Sequence, residues 1–427
     1  MRAALFACAA LTACRFSLSG VGTGSSDMAT SDLGPGPDLP PCACATGCGS
    51  DGHCLALAPS GPVTAGDYGM AGLAVYNVTG NITINTDTGA ITGPGPLMRA
   101  AGSGVINGVG FHVVKQTGGP GVGVFSVAAL MVAGAAKINV TGANAFALAS
   151  AGPVTIDGVV DASCSGMMPG PGGFAGGMGA MDGTGPAAGA GKAGTGGGGG
   201  NPASGGGGAG YGDAGGTGGL IQGAAPNAGV PFGDLTSPTF VLAGGPGGGG
   251  GAGTTMGGKG GGGGGAVQIV ANGALTVTGT INVGGCGGLK AGIADGGGGG
   301  GAGGAIVLEA VHVTLSSTAV LAANGGGGGS GDDGGHDGSP ANASVVPAPG
   351  GVAGKTTGGN GGAGGASNGM PGQHFTSGRN GGIPDPTQDF GGGGGGGVGR
   401  IAVRALNPTT GGISDSSTAV TPDANDT

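Results

Sequence analysis

Apolar and polar residues alternate with a period of two along several short stretches of this chain. The runs "GLAVYNVTGNITINTDTG", "GVGFHVV", "GVFSVAALMV" and "AAKINVTG" place Val, Ile, Thr and aromatic residues at alternate positions and close on Gly- or Asn-containing turns. That pattern predicts successive β-strands. Three later passages repeat one another: "FALASAGPVTIDGVVDAS" from Phe146, "AVQIVANGALTVTGTINVGG" from Ala266 and "AIVLEAVHVTLSSTAVLAANGG" from Ala305. Laid over one another, Val154/Ile156, Leu275/Val277 and Val313/Leu315 take one inward-facing pair of positions, and Val160, Ile281 and Leu321 follow in the next strand. The third copy holds two extra residues near Ser316 and Ser317, which leaves every side chain on its original face. Gly158 and Gly279 fall at the bend, where a positive φ or a close backbone approach is needed.

Glycine tracts separate these passages. They leave after the second strand of each copy, over 165–265, 284–304 and 325–397, so they depart and return in phase. The architecture this predicts is all-β: β-solenoid or β-helix-like rungs with long glycine-rich insertions. Each rung would bury its aliphatic row only against another stacked ~4.8 Å away. The tracts themselves have three readings. They are loops from one solenoid face, whose closure cost grows slowly with length. Alternatively they are packed polyglycine II-type helices with ~3 residues per turn and ~3.1 Å rise, or segments that drive aggregation. Cys164 and Cys286 each lie just past the same strand of their copies, so direct stacking would bring them within disulfide reach. Two free thiols are the alternative.

Composition narrows the choice. The 427 residues include 122 Gly and 26 Pro, a content normally read as low-complexity chain. Disorder, however, combines low hydrophobicity with high charge, and only 8% of these residues are charged. Part of the chain must fold. With no Trp and Glu309 as its one glutamate, it lacks the stock for long helices. The net charge of −9, with basic residues scattered singly, excludes a nucleic-acid footprint and a polybasic lipid-binding run.

The N-terminus carries targeting chemistry. "MRAALFACAALTAC" has one basic residue, an apolar stretch and then Leu11-Thr12-Ala13-Cys14, the form of a bacterial lipobox. That resemblance implies cleavage before Cys14 and acylation of that cysteine; several acyl chains anchor stably where one does not. Leu5-Phe6-Ala7-Cys8 is a poorer version of the same motif. A plain secretory signal is the alternative. Arg15 follows Cys14, so the Asp that retains lipoproteins at the inner membrane is absent, and the expected location is the outer membrane or cell surface. Nothing else is long and apolar enough to span a bilayer as a helix. Past a tether rich in Ser, Gly, Pro and Asp, "CACATGCGSDGHC" gathers Cys42, Cys44, Cys48 and Cys54. In an exported protein these suggest two disulfides of undetermined connectivity; zinc binding with His53 is the alternative, although the spacing matches no common finger.

The resulting layout is a signal peptide (1–13), a lipid-anchored flexible tether (14–41), a Cys-rich module (42–61) and an N-terminal β-strand region (62–164). A glycine-rich insertion (165–265), rungs with a short glycine excursion (266–324), a second insertion (325–397) and a closing strand with tail (398–427) complete it.

The lipobox, the Cys module, "NTDTGAITGPG" (85–95), "VTIDGVVDAS", "GGAIVLEA", "LAANGGGGG" and "GGGGGGGVGRIAV" together resemble the uncharacterised glycine-rich predicted lipoproteins of the myxobacterial type. The similarity covers most of the mature chain. It implies a cell-surface location and supplies no catalytic motif. The tracts also share composition with mycobacterial PGRS proteins, whose helical N-terminal domain is missing here.

Several motifs look chemical by composition alone. "GGVAGKTT" (350–357) is one glycine short of a P-loop, because Pro349 stands at the first required position and no helix-forming run follows. "GASNG" around Ser367 fits G-x-S-x-G without the flanking strand and helix of a nucleophile elbow. Asp332, Asp333, His336 and Asp337 gather hard ligands in one loop and are weak metal candidates, since no calcium-binding repeat surrounds them. Asp157, Asp161, Glu309 and His312 stand apart on predicted strands, so no catalytic carboxylate pair is expected. The sequence therefore predicts a lipid-anchored cell-surface structural or adhesive protein with neither cofactor nor catalysis. The alternative is a carbohydrate-binding or carbohydrate-acting β-helix protein. Expected partners are the membrane through the anchor, and glycans or other surface proteins; oligomeric state is left open.

Overall fold

A computed structural model describes residues 57–198, 201–219, 228–235, 237–253, 257–366, 381 and 390–406. The chain divides into two compact units, Met1–Ala43 and Cys44–Thr427, and the described residues all lie in the second. The single helix among them, α1 (Ala65–Tyr68), is one turn long and starts on a reciprocal cap between Thr64 and Asp67. The strands of the first half are β1 (Val75–Val78), β2 (Ile82–Asn85), β3 (Ile91–Thr92), β4 (Gly104–Ile106), β5 (Val109–Val114) and β6 (Val122–Val127). They continue as β7 (Ala129–Val132), β8 (Lys137–Thr141), β9 (Ala145–Ser150), β10 (Val154–Ile156) and β11 (Val159–Asp161). A small hairpin pairs β12 (Gly196–Gly198) with β13 (Asn201–Ala203). The second half adds β14 (Ala266–Val277), β15 (Thr280–Asn282), β16 (Ala305–Leu315), β17 (Val320–Ala322) and β18 (Arg400–Ala405).

These form a ten-stranded sheet and a six-stranded sheet of order β17-β15-β11-β8-β2-β3. Between them lies a core of large apolar side chains, including Phe125, Phe146, Leu148, Ile156, Ile269, Leu275, Ile281, Leu308 and Leu321. The period-two alternation decides which residues enter it. In β9, Phe146 and Leu148 face this core while Ala145, Ala147 and Ala149 face a second cluster on the opposite side of the sheet. In β16, Ile306 and Leu308 face the first, and Ala305, Val307 and Val311 the second. Central strands such as β6 and β9 are consequently buried on both faces.

The register follows the sequence repeats. Val154 pairs with Leu275 and Leu275 with Val313; Val160 pairs with Ile281 and Ile281 with Leu321. The expected β-solenoid is nonetheless wrong. Both sheets are mixed: β2–β3, β4–β5 and β5–β6 are antiparallel beside the parallel pairs, and the whole curls as a half-barrel. A solenoid requires every stacked strand to pass the same way, and here turns reverse the chain. Asn107 and Gly108 both take positive φ (48° and 70°), the turn chemistry that folds β4 back onto β5. At the repeat bends, Gly158 and Gly279 keep ordinary φ. What they require is space, since a Cβ on either would overlap backbone carbonyl oxygens, those of Ala136 and Gly158 respectively.

Candidate functional site

The glycine segments form a layer against the small-residue face of the large sheet. Their conformation is legible in the hydrogen bonds of segment 296–304. Gly297, Gly300 and Gly303 donate to the carbonyls of Gly391, Gly394 and Gly397 (2.9, 2.8 and 3.0 Å). Gly298, Gly301 and Gly304 donate to Leu289, Cys286 and Val283 (each 2.9 Å). Gly296, Gly299 and Ala302 donate to Ala252, Gly249 and Pro246 (2.7, 2.8 and 3.1 Å). Every third residue thus addresses the same neighbour, the period of an extended three-fold helix.

The carbonyls repeat the arrangement toward three further segments. Gly296, Gly299 and Ala302 accept from Gly258, Gly261 and Gly264; Gly297 and Gly300 accept from Gly206 and Ala209; Gly298 and Gly301 accept from Gly329 and Gly326. Segment 296–304 is therefore enclosed by six neighbours, running in both directions, with all its amides and the carbonyls of 296–302 and 304 paired. Only glycine permits this spacing. A Cβ at Gly299 would overlap the carbonyl oxygen of Gly207, and the hydrogen in its place makes a weak Cα–H···O contact instead. Where a segment meets the sheet, alanine replaces glycine: Ala209 and Ala302 join the apolar cluster that includes Ala147, Ala266 and Ala305.

Outer segments show the same period in burial. Gly335, Gly338 and Ala341 are buried, whereas His336, Asp337, Pro340 and Asn342 are exposed. Gly359, Gly362 and Gly365 donate inward to Phe390, Gly393 and Gly396 (2.7, 2.8 and 2.7 Å), while Asn360 is exposed between them. Unbroken glycine runs such as 296–301, 325–329 and 391–397 are buried; glycine interrupted at three-residue spacing lies at the rim. That distinction was available in the sequence and was missed.

A buried polar cluster closes the array side of the sheet. Glu309 on β16 stands directly opposite Arg404 on β18 and pairs with it (2.6 Å). Glu309 also accepts from the Ser60 amide (3.2 Å), the Ser60 hydroxyl and Gln268 Nε2 (3.0 Å). Arg404 donates onward to the carbonyls of Leu235 and Ser237 and lies over the Phe240 ring (5.3 Å to the centroid). Two straps remote in sequence, one at Ser60 and one at Leu235 and Ser237, both bond to this ion pair, and Gln268 Nε2 also donates to the Ser60 carbonyl (2.9 Å). Nearby, the Tyr211 hydroxyl donates to the Ala243 carbonyl (3.0 Å), and burial pushes its phenol up to about 12 despite the opposing Arg400 charge.

Of the residues singled out from sequence, Cys164 and Cys286 stand at disulfide distance, with Cα atoms 5.6 Å apart. Cys286 sits in one of the six segments around 296–304. Cys14, Cys42, Cys44, Cys48, Cys54 and Ser367 lie outside the described residues. The weak metal candidates do not converge. Asp332 accepts from Thr357 and the amides of Ala294 and Asp333, Asp333 pairs with Lys355, and Asp337 accepts from the Lys290 amide (2.8 Å). Among the described residues no three His, Cys, Asp or Glu are grouped as a metal would need. In the P-loop-like stretch, the Gly351 amide is already bonded to Gly328 (2.8 Å) and Lys355 to Asp333, leaving no phosphate cradle there.

The carboxylates expected to stand apart are engaged. Asp161 pairs with Lys137 (2.6 Å) and accepts from Ser163, and Asp157 accepts from Thr278 (2.7 Å). Burial alone would raise the Asp161 carboxyl, but the hydrogen bonds from Lys137 and Ser163 outweigh it and hold the group below the ordinary Asp value. Among the described residues no helix is long and apolar enough to cross a membrane. Compared with known proteins, the chain matches no family model, no curated protein and no solved structure.

Proposed function

We propose that the chain is a lipid-anchored structural or adhesive protein of the bacterial cell surface, held through Cys14. The observation that carries this reading is the enclosure of segment 296–304 by six backbone neighbours. Such a layer is cohesive without reactive side chains, and its packed backbone offers a protease no free strand. Its rim presents short side chains such as Asn360, Ser339 and Asn342. Along one three-fold helix they recur about every 9 Å, which suits many shallow contacts with glycans or other surface proteins. The carboxylates an enzyme would use are tied to Lys137, Thr278 and Arg404, which favours a role without catalysis.

The test compares cells lacking the protein with cells carrying the wild type or Cys14→Ser. The reading expects loss of the protein to lower cell–cell cohesion or surface hydrophobicity. It expects Cys14→Ser to abolish acyl labelling and shift the protein out of the membrane fraction. Unchanged partitioning of Cys14→Ser, or loss of a glycan-degrading activity on deletion, would overturn it.

A further inference from the structure

A cleft of ≈ 390 Å³ opens where three stretches remote in sequence meet: Gly61 and Pro62, residues 114–117, and residues 239–241. That volume is within the usual range for a small-ligand site, about 300–1,000 Å³. Its walls are fixed. Gln116 clamps one side, with Oε1 accepting from the Leu242 amide and Nε2 donating to the carbonyls of Leu242 and Pro120 (all 2.8 Å). On the other side the Gly61 amide donates to Pro238 (2.8 Å), and the ring of Phe240 fills the space where a Gly61 side chain would stand. Phe240 in turn packs under Arg404, so the cleft is braced by the buried ion pair.

The lining has one formal charge. Lys115 is exposed at the cleft and has no salt-bridge partner among the described residues, on a chain whose net charge is −9. Thr117 and Thr239 also line the cleft, the Thr239 hydroxyl lying 3.2 Å from that of Ser237, and Val114 and Val241 supply apolar surface. A ligand matching this set has a carboxylate, several hydroxyls and a C–H face on one ring. We infer that the cleft binds a uronic acid unit of an acidic polysaccharide, with its carboxylate at Lys115, hydroxyls toward Thr117 and Thr239, and its C–H face on Val241. A neutral sugar would gain no attraction from the ammonium, and a bare phosphate would not use the apolar wall. As an account of what the surface adheres to, this rests on the adhesive reading above.

The test is calorimetric titration of the full chain in detergent with trigalacturonate, maltotriose and inorganic phosphate, at low and high salt. Trigalacturonate is expected to bind, maltotriose at least tenfold more weakly, and salt to weaken the acidic ligand. Lys115→Gln and Val241→Asp should each lower trigalacturonate affinity at least tenfold, with an unchanged thermal midpoint because both side chains are exposed. No binding by folded wild type, unchanged affinity of Lys115→Gln, or equal affinity for phosphate would overturn the assignment. Cohesion lost on deletion without uronate binding removes the cleft assignment alone; uronate binding with cohesion unaffected removes the adhesive reading alone.

Discussion

Segments 266–271 and 296–304 are both buried throughout and lie close in sequence, yet opposite means make them solid. β14 bonds laterally to neighbouring strands, and its cohesion comes from Val267, Ile269, Leu275 and Val277 packed into the core. Segment 296–304 has almost no side chains and bonds to six neighbours. Burying aliphatic groups stabilises a strand by about 25 cal/mol per Å² of apolar surface. Glycine has little such surface and loses more conformational freedom on folding than any other residue. A single glycine helix therefore cannot persist alone, and the array holds only when its neighbours are all in place. The sheet fails when atoms are removed; the array fails when atoms are added.

The strongest way to break this contrast is a pair of substitutions read by urea unfolding. Gly299→Val should destabilise by more than about 4 kcal/mol, because the Gly207 carbonyl cannot move without disturbing other segments. Leu275→Ala should cost about 2–5 kcal/mol through a cavity. A valine tolerated at 299 would mean the array yields like a loop. Next in size is Arg404→Ala, at about 3–5 kcal/mol, because it leaves Glu309 buried without its countercharge. That variant should also release the strap carrying Ser60 to proteolysis before the rest of the chain opens.

A smaller effect sits on the six-stranded sheet. The folded carboxyl of Asp161 is held below its unfolded value of about 3.9. Its contribution is therefore complete above that unfolded value and is lost as pH falls through the depressed folded one. Lys137→Gln should lower stability modestly at neutral pH, leave it nearly unchanged below the folded value, and so flatten acid destabilisation in that window. At the rim, Asn360→Ala should cost below about 1 kcal/mol, since the hydrogen bond it loses, to the Ala353 amide, is exposed. A rim change as costly as one at Gly299 would erase the distinction between interior and edge.

Much of the sheet was legible because period-two patterns survive long interruptions: the pairings of Val154, Leu275 and Val313 can be read by aligning three passages. The antiparallel strands were not, although Asn107-Gly108 is a strong hairpin signal, because the repeats drew attention to parallel stacking. The Glu309–Arg404 pair was also within reach. Laying "GRIAVRA" over "GAIVLEA" places those two residues at one position, but the glycine-rich stretch between them hid the fourth copy. The array itself needed the three-residue register of its hydrogen bonds, which a run of identical residues cannot reveal. Nor could any local pattern show that 61–62, 114–117 and 239–241 converge on one cleft.

The glycine segments are ordered as firmly as the strands. Native-state hydrogen exchange, resolved to 296–304 and to β14, tests it directly. If the array is closed as described, amides of Gly297 to Gly303 will be protected to the same degree as those of Val267 to Ala271 and will open together with them. Exchange across 296–304 as fast as in an unfolded peptide, beside a protected β14, would contradict it.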